Sequence, residues 1–359
     1  MSSSPWEAVL LNRDIGRYRP TDFIREGGFG LVFEAKDIKT GEAVALKLLK
    51  PGVAGPAVAE FENEGRILQR LRNASGVVDH FETATATIDV LIAGTGSSTV
   101  PLPVHYHAME LASGCLEEIV VDGARLARLD WSERLRLWRG LVLGVHQMHL
   151  KGLAHRDLKS GNALLMVRRR EADTTCKLAD FGRSRDLSKP ASVPPDHYLP
   201  GRGDFRFAPP EFLWWQGEDS PASHKRADLY GLGSLLYELA TGIGITQAAL
   251  GYGPDIVKDA QAKFLAGQTL DLSALRPRYE PVLDLFGDEI PAVIRTESTA
   301  LLRQLCDPQP NLRLPRSGPG RRTPASEGLE WLLRRTDILI KRLNTASTPR
   351  RTRYGKVAS

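Results

Sequence analysis

A change of hydrophobic period partway along the chain constrains the fold more than any other feature of the sequence. From Phe23 to Leu49, short apolar–polar alternations ("LVFEAKD", "AVALKLL") are separated by "KTGE", and Asp37 to Gly41 reads as a hairpin turn. The stretch "PGVAGPAVAEFENEGRILQRLRN" then switches to a helical period. Phe61, Ile67, Leu68 and Leu71 form one stripe and Glu64 lies on the neighbouring face. Strand patterns return from Val77 to Met109, broken by "AGTGSSTVPLP", a Gly/Ser/Pro segment that reads as an inserted loop. After Gly114 the pattern is helical. "SERLRLWRGLVLGVHQMHLKG" carries Leu135, Trp138, Leu141, Val142, Val145 and Met148 on one face, and "ADLYGLGSLLYELATG" is apolar nearly all round, as a buried helix requires. Strands first and helices second predict an α+β protein of two lobes, and 359 residues suffice for both cores.

Composition narrows the function classes. The net charge of +5 is too small to argue for nucleic acid by itself. Cys115, Cys176 and Cys306 are far apart and form no CxxC pair, which argues against a disulfide framework or zinc site and fits a reducing, cytoplasmic compartment. The start, "MSSSPWEAVLLNRDIGR", lacks the pattern of a signal peptide, and no run of 18 apolar residues occurs, so no membrane association is expected. The glycine cluster in "FIREGGFGLVFEAKD" reads equally as a phosphate cradle or a plain hairpin turn.

The motifs "HRDLKSGN" (155–162) and "LADFGRS" (178–184) decide between them. Their aspartates, Asp157 and Asp180, lie 23 residues apart behind a long helix, a combination that chance rarely supplies. Here the chain resembles the protein-kinase family, from about Ile24 to Arg313. The resemblance implies a β-rich N-lobe, a helical C-lobe and ATP with Mg²⁺ between them. Asp180 and Asn162 would be the metal ligands, both hard oxygen donors. Asp157 would orient the acceptor hydroxyl and take its proton, and Lys159 would reach the transferring phosphate. A lysine at that position is the pattern usual in serine/threonine kinases.

The same resemblance assigns the glycine cluster to the phosphates. Gly27, Gly30 and Val32 match the second glycine, third glycine and valine of the family's GxGxxGxV loop, with Gly28 between them. Arg25 replaces the first glycine; it would either add a charge near the nucleotide or cap the loop, the second being favoured. Lys47, in "VALK", would grip the α- and β-phosphates, with Glu64 as its partner and Glu62 as the competing candidate. "YHAMELASGCL" resembles the strand leading into the hinge. Met109 would be the gatekeeper, the backbones of Glu110 and Ala112 would pair with adenine, and Val32, Ala45 and Leu164 would sandwich the ring.

"GDFRFAPPE" has the spacing of the family's GTPxYxAPE, with Pro209 in place of alanine. Glu211 would pair with a buried arginine, Arg313 or alternatively Arg322, and Asp228 would hold the catalytic-loop backbone. Asp204 stands where threonine is usual. It could pair with Lys159, favour a basic residue in the substrate, or reflect a slip of alignment. Arg156 would receive a phosphate on the segment from Asp180 to Glu211, with Ser188 or Ser192 as the autophosphorylated residue. The expected organisation is a lead-in at 1–14, an N-lobe at 15–110, a C-lobe at 111–315, a helical extension at 316–344 and a disordered basic tail at 345–359. Protein substrates are the expected partners. Nucleic acid is not, the basic tail being the one segment that could meet it.

Overall fold

The computed structural model describes residues 5–28, 30–53, 55–91, 99–167, 174–190, 204–251, 254–315 and 328–347. Five strands, β1 (Tyr18–Glu26), β2 (Gly30–Asp37), β3 (Ala43–Leu49), β4 (His80–Leu91) and β5 (Thr99–Glu110), form an antiparallel sheet in the order β1-β2-β3-β5-β4. Helix α1 (Pro5–Leu10) closes one face, and helix α2 (Pro56–Arg70) lies within the chain between β3 and β4. Leu10, Ile15, Tyr18, Phe33, Leu46 and Val104 share one core. Leu10, in the segment expected as a lead-in, is fully buried in this core. The Asp37–Gly41 turn is closed by the Gly41 N–H on the Asp37 carbonyl, 2.7 Å.

One expectation is corrected here. Part of the inserted loop, Thr99 to Pro103, is strand, and pairs with Thr87 to Leu91. Two prolines are tolerated because β3 reaches only Tyr106 to Glu110 of β5. Pro101 and Pro103 have a strand on one side alone, so a missing N–H interrupts no second ladder.

The helical lobe contains β6 (Gly114–Cys115), α3 (Leu116–Val120), α4 (Gly123–Arg128), α5 (Trp131–Leu150), β7 (Leu153–Ala154), β8 (Ala163–Met166), β9 (Thr175–Leu178) and β10 (Arg185–Asp186). It continues with α6 (Pro210–Leu213), α7 (Pro221–Thr241), α8 (Ile245–Leu250), α9 (Pro254–Leu265), α10 (Arg276–Glu289), α11 (Arg295–Leu305) and α12 (Glu330–Ser347). Helix α5 starts at an Asp130–Glu133 capping box and buries the stripe anticipated from its sequence, with the Trp138 indole N–H donating to the Leu232 carbonyl at 2.8 Å. Helix α7 begins with Ser220 as cap and Pro221 in its first turn and is buried over most of its length. Gly231 on α7 lets Leu158 rest against the helix backbone; a Cβ there would lie 2.9 Å from Leu158 Cβ. Helix α12 packs on α5 through Leu332, Leu339 and Leu343, with Ser132 Oγ donating to Asn344 Oδ1 at 2.8 Å. It runs to Ser347, so the helical extension passes residue 344 into the segment assigned to the tail.

Candidate active site

Lys47 sits in the middle of β3, opposite Val32 on β2 and His107 on β5. Its ammonium lies 2.6 Å from Glu64 Oε2 on α2 and 3.0 Å from Asp180 Oδ1. Burial opposes charge on Lys47, but the Asp180 and Glu64 carboxylates outweigh it and hold the ammonium above its ordinary range. The same lysine, against the effect of burial, holds Asp180 well below the usual carboxylate range. Glu62 has no part in this cluster.

The loop that carries Asp157 is pinned by a carboxylate on α7. The Asp228 carboxylate, on α7, accepts the backbone N–H groups of His155 at 2.9 Å and Arg156 at 2.8 Å, and meets His149 Nε2 at 2.9 Å. Arg156 and Asp180 adopt left-handed backbone conformations, φ 68° and 63°, which non-glycine residues hold only when their surroundings over-determine them. Asp157 Oδ2 takes Lys159 Nζ at 3.2 Å, and the Asn162 amide nitrogen donates to the Asp157 carbonyl at 2.9 Å. Asp157 Oδ1 is buried with no hydrogen-bond partner among the described residues.

These groups surround one cleft of about 350 Å³. Of the residues singled out from sequence, Gly27, Gly28, Gly30, Val32, Lys47, Glu64, Asp157, Lys159, Asn162 and Asp180 line it. Ala45, Met109, Glu110, Ala112 and Leu164 do not line this cleft. Ala45 faces Met109 across β3 and β5, and Leu164 pairs with Cys115. Arg25 departs from the loop-capping expectation: its Nη1 crosses the cleft and donates to the Gly161 carbonyl at 3.1 Å. Asp204 lines the cleft too, but its partner is Arg206, 2.8 Å away, rather than Lys159; Arg206 is two residues along and its guanidinium folds back. Glu211 binds Arg313 through both carboxylate oxygens, at 2.6 and 2.7 Å. Arg322 and Ser192 lie outside the described residues.

Several contributors have no motif of their own. Lys50 donates to the Gly27 carbonyl at 2.8 Å and so holds the glycine loop. Asn63, beside Glu64, donates to the carbonyls of Gly182 and Ser184 at 3.0 and 2.9 Å and ties α2 to the segment after Asp180. Lys177 meets the Glu110 carboxylate at 2.5 Å, linking the end of β5 to β9.

The donor set fits Mg²⁺ with a nucleotide. Among the described residues no cluster of three or more His, Cys, Asp or Glu side chains could hold a metal alone. Asp180 and Asn162 would offer two hard oxygen ligands, which suits an ion that takes its other ligands from phosphates and water. Asn162 has its amide nitrogen committed, so its oxygen is the atom available to a cation.

The profile of the protein kinase domain family matches residues 18–317. Similar curated proteins include the Arabidopsis thaliana G-type lectin S-receptor-like serine/threonine-protein kinase SD1-1, 28% identical over 62% of this chain and 24% of that protein. Human cyclin-dependent kinase 9 is 28% identical over 65% of this chain and 58% of its own length. Serine/threonine-protein kinase pkn3 of Myxococcus xanthus is 29% identical over 63% of this chain and 38% of its own. The chain thus matches about a quarter to three-fifths of the length of these relatives. With the family profile covering both lobes and every element around the cleft, the chain belongs to the protein kinase domain family.

Proposed function

We propose that this cleft transfers the γ-phosphoryl group of ATP to serine or threonine hydroxyls of protein substrates. The observation that carries the reading is the convergence of Lys47, Asp180, Asn162 and the unpartnered Asp157 Oδ1 on one cleft. Mg²⁺ held by Asp180 and Asn162 would neutralise phosphate charge. Lys47 grips the non-transferred phosphates while Glu64 fixes its position. Asp157 Oδ1 accepts the proton of the acceptor hydroxyl, and Lys159 steadies the other carboxylate oxygen. The position of Lys159 and the names of the relatives support serine/threonine acceptors.

Autophosphorylation in the segment after Asp180 is part of the proposal. Ser188 is the described candidate: exposed, with its Oγ 2.6 Å from Asp186 Oδ1. Ser184 is buried against the His155 carbonyl and is a poor acceptor. The three cysteines are unpaired, which supports a cytoplasmic setting, and no helix among the described residues is long and apolar enough to cross a membrane.

The test is transfer from labelled ATP to generic protein acceptors by wild type and Asp157→Asn. The variant should lose about 10²-fold or more of its turnover while binding Mg·ATP normally, since only the orienting base is lost. Near wild-type turnover in Asp157→Asn, or transfer only to small-molecule acceptors, would overturn the reading.

A further inference from the structure

Behind the Lys47–Glu64 pair a fully buried histidine joins the sheet to α2. His107 Nε2 lies 3.0 Å from the Phe61 carbonyl, three residues before Glu64 on the same helix. Its Nδ1 lies 2.8 Å from Thr83 Oγ1, which in turn lies 2.8 Å from His80 Nε2. A carbonyl only accepts, so the His107 proton is on Nε2. Nδ1 must then accept, the Thr83 hydroxyl donates to it, and that oxygen accepts from His80. One direction of donation is consistent with every contact from β4 through β5 to α2. Burial, with the Lys47 charge nearby, pushes His107 down to about 3, so the ring stays neutral. The imidazole also stacks on the Phe61 ring, centroids 3.9 Å apart.

The sequence makes room for this ring at a cost. Gly65, next to Glu64, sits inside α2, where glycine is about 1 kcal/mol worse than alanine. A Cβ there would come 2.8 Å from His107 Cε1 and 3.0 Å from Thr83 Cγ2. The glycine is a notch into which the β4–β5 side chains fit. His107 also pairs across strands with Lys47 itself. The contact therefore links the strand pair that carries Lys47 to the helix that carries Glu64.

We propose that His107, Thr83 and the Gly65 notch form a polar anchor that sets the position of α2, making His107 a positioning residue for phosphoryl transfer that acts through Glu64. The proposal rests on the kinase reading above. If α2 is held by this anchor, losing it displaces the Glu64 carboxylate, and a misplacement of about 1 Å costs up to 10²-fold in rate.

The experiment compares Gly65→Ala, His107→Phe and Thr83→Val, each made with Glu64 intact and with Glu64→Gln. His107→Phe keeps an aromatic ring against Phe61 but removes both hydrogen bonds. Thr85→Val is the control: Thr85 Oγ1 meets His105 Nδ1 at 2.8 Å, the same pair chemistry at an exposed site. With Glu64 intact, kcat/KM for ATP should fall about 10-fold in Gly65→Ala and His107→Phe and about 3-fold in Thr83→Val, and hold in Thr85→Val. In the Glu64→Gln background the first three should cause no further loss, and Gly65→Ala combined with His107→Ala should be no worse than His107→Ala alone. Equal fractional losses in both backgrounds, or an unchanged kcat/KM in all three variants, would refute the anchor. Hydrogen exchange of the α2 amides gives a second readout that needs no turnover. It should speed up in Thr83→Val and His107→Phe but not in Thr85→Val, and unchanged exchange refutes the proposal. A wild-type protein without transferase activity but with this exchange pattern would instead refute the assigned reaction and leave the anchor standing.

Discussion

Two ion pairs, one at the cleft and one inside the helical lobe, differ in how many of their donors are already used. Arg313 meets Glu211 through two parallel bonds of 2.6 and 2.7 Å and gives its other N–H groups to the carbonyls of Asp307, Arg226 and Pro308. All five guanidinium donors are satisfied, and the plane lies 4.8 Å from the Tyr230 ring centroid. Lys47 is shared between Glu64 and Asp180 and faces the cleft, with 18% of its side chain exposed. A closed pair of the first kind can only hold the fold. An open pair of the second kind can pass its charge to a ligand that enters the cleft.

The largest expected effect tests the closed pair. Arg313→Ala leaves a buried carboxylate unpaired and should lower stability by about 3–5 kcal/mol, read as a shift of the urea midpoint. Arg313→Lys should recover little, because a lysine cannot supply the two-pronged contact. A folded Arg313→Ala protein with an unshifted midpoint would erase the distinction between the pairs. The open pair should behave in the reverse manner. Lys47→Met should cut phosphoryl transfer by about 10²-fold and Glu64→Ala by about 10-fold, with smaller losses of stability than Arg313→Ala shows. Glu62→Ala should be near neutral. A severe Glu62 defect beside a normal Glu64 variant would contradict the 2.6 Å contact as the working one.

A third carboxylate sharpens the comparison, since it is buried without a cation. Glu238 accepts the Ser160 hydroxyl at 2.9 Å on one oxygen, and its other oxygen has no partner among the described residues. Burial pushes it up to about 8 from an ordinary 4.5. Between those two values the folded protein holds a proton that the unfolded chain has released. Stability from this group is therefore complete below pH 4.5 and is lost as pH rises to about 8. Glu238→Gln should be more stable than wild type by an amount that grows across that window, reaching about 1–3 kcal/mol, and levels off above it. Urea midpoints from pH 5 to 9 measure this directly. A constant difference across the range would mean that Glu238 is ionised in the folded state throughout.

The pairs also mark what a sequence can show. Lys47, Asp157, Asn162 and Asp180 stand in short motifs whose spacing is fixed by one strand or one loop, so the residues can be named before the fold is known. The period change after Gly114 gives the two lobes in the same way. His107, Lys177 and Asn63 have no such pattern. Each acts through a contact between elements far apart in the chain, 46 residues for His107 with Phe61 and 119 for Asn63 with Gly182. Gly65 is an unfavourable residue inside helix α2, and the ring that explains it lies on strand β5. The strand at Thr99–Pro103 was obscured for a related reason. Proline argues against strand locally, and only the sheet order shows that one side of it is free.

The smallest expected effect concerns Arg25, a single long contact between the lobes. Its guanidinium is exposed, lines the cleft and donates to the Gly161 carbonyl at 3.1 Å. That bond joins the glycine loop to the catalytic loop over the place assigned to the phosphates. Arg25→Gly restores the glycine of the family pattern and removes one charge-assisted bond, about 0.5–1.5 kcal/mol. The loss should fall on closure of the loop rather than on the folded state, so KM for ATP should rise about 2- to 10-fold with an unchanged urea midpoint. Because the group is exposed, the difference from wild type should shrink as salt is raised. If Arg25 merely caps the loop, the result is reversed: a lower midpoint, an unchanged KM and no dependence on salt. That outcome would remove the inter-lobe role of Arg25.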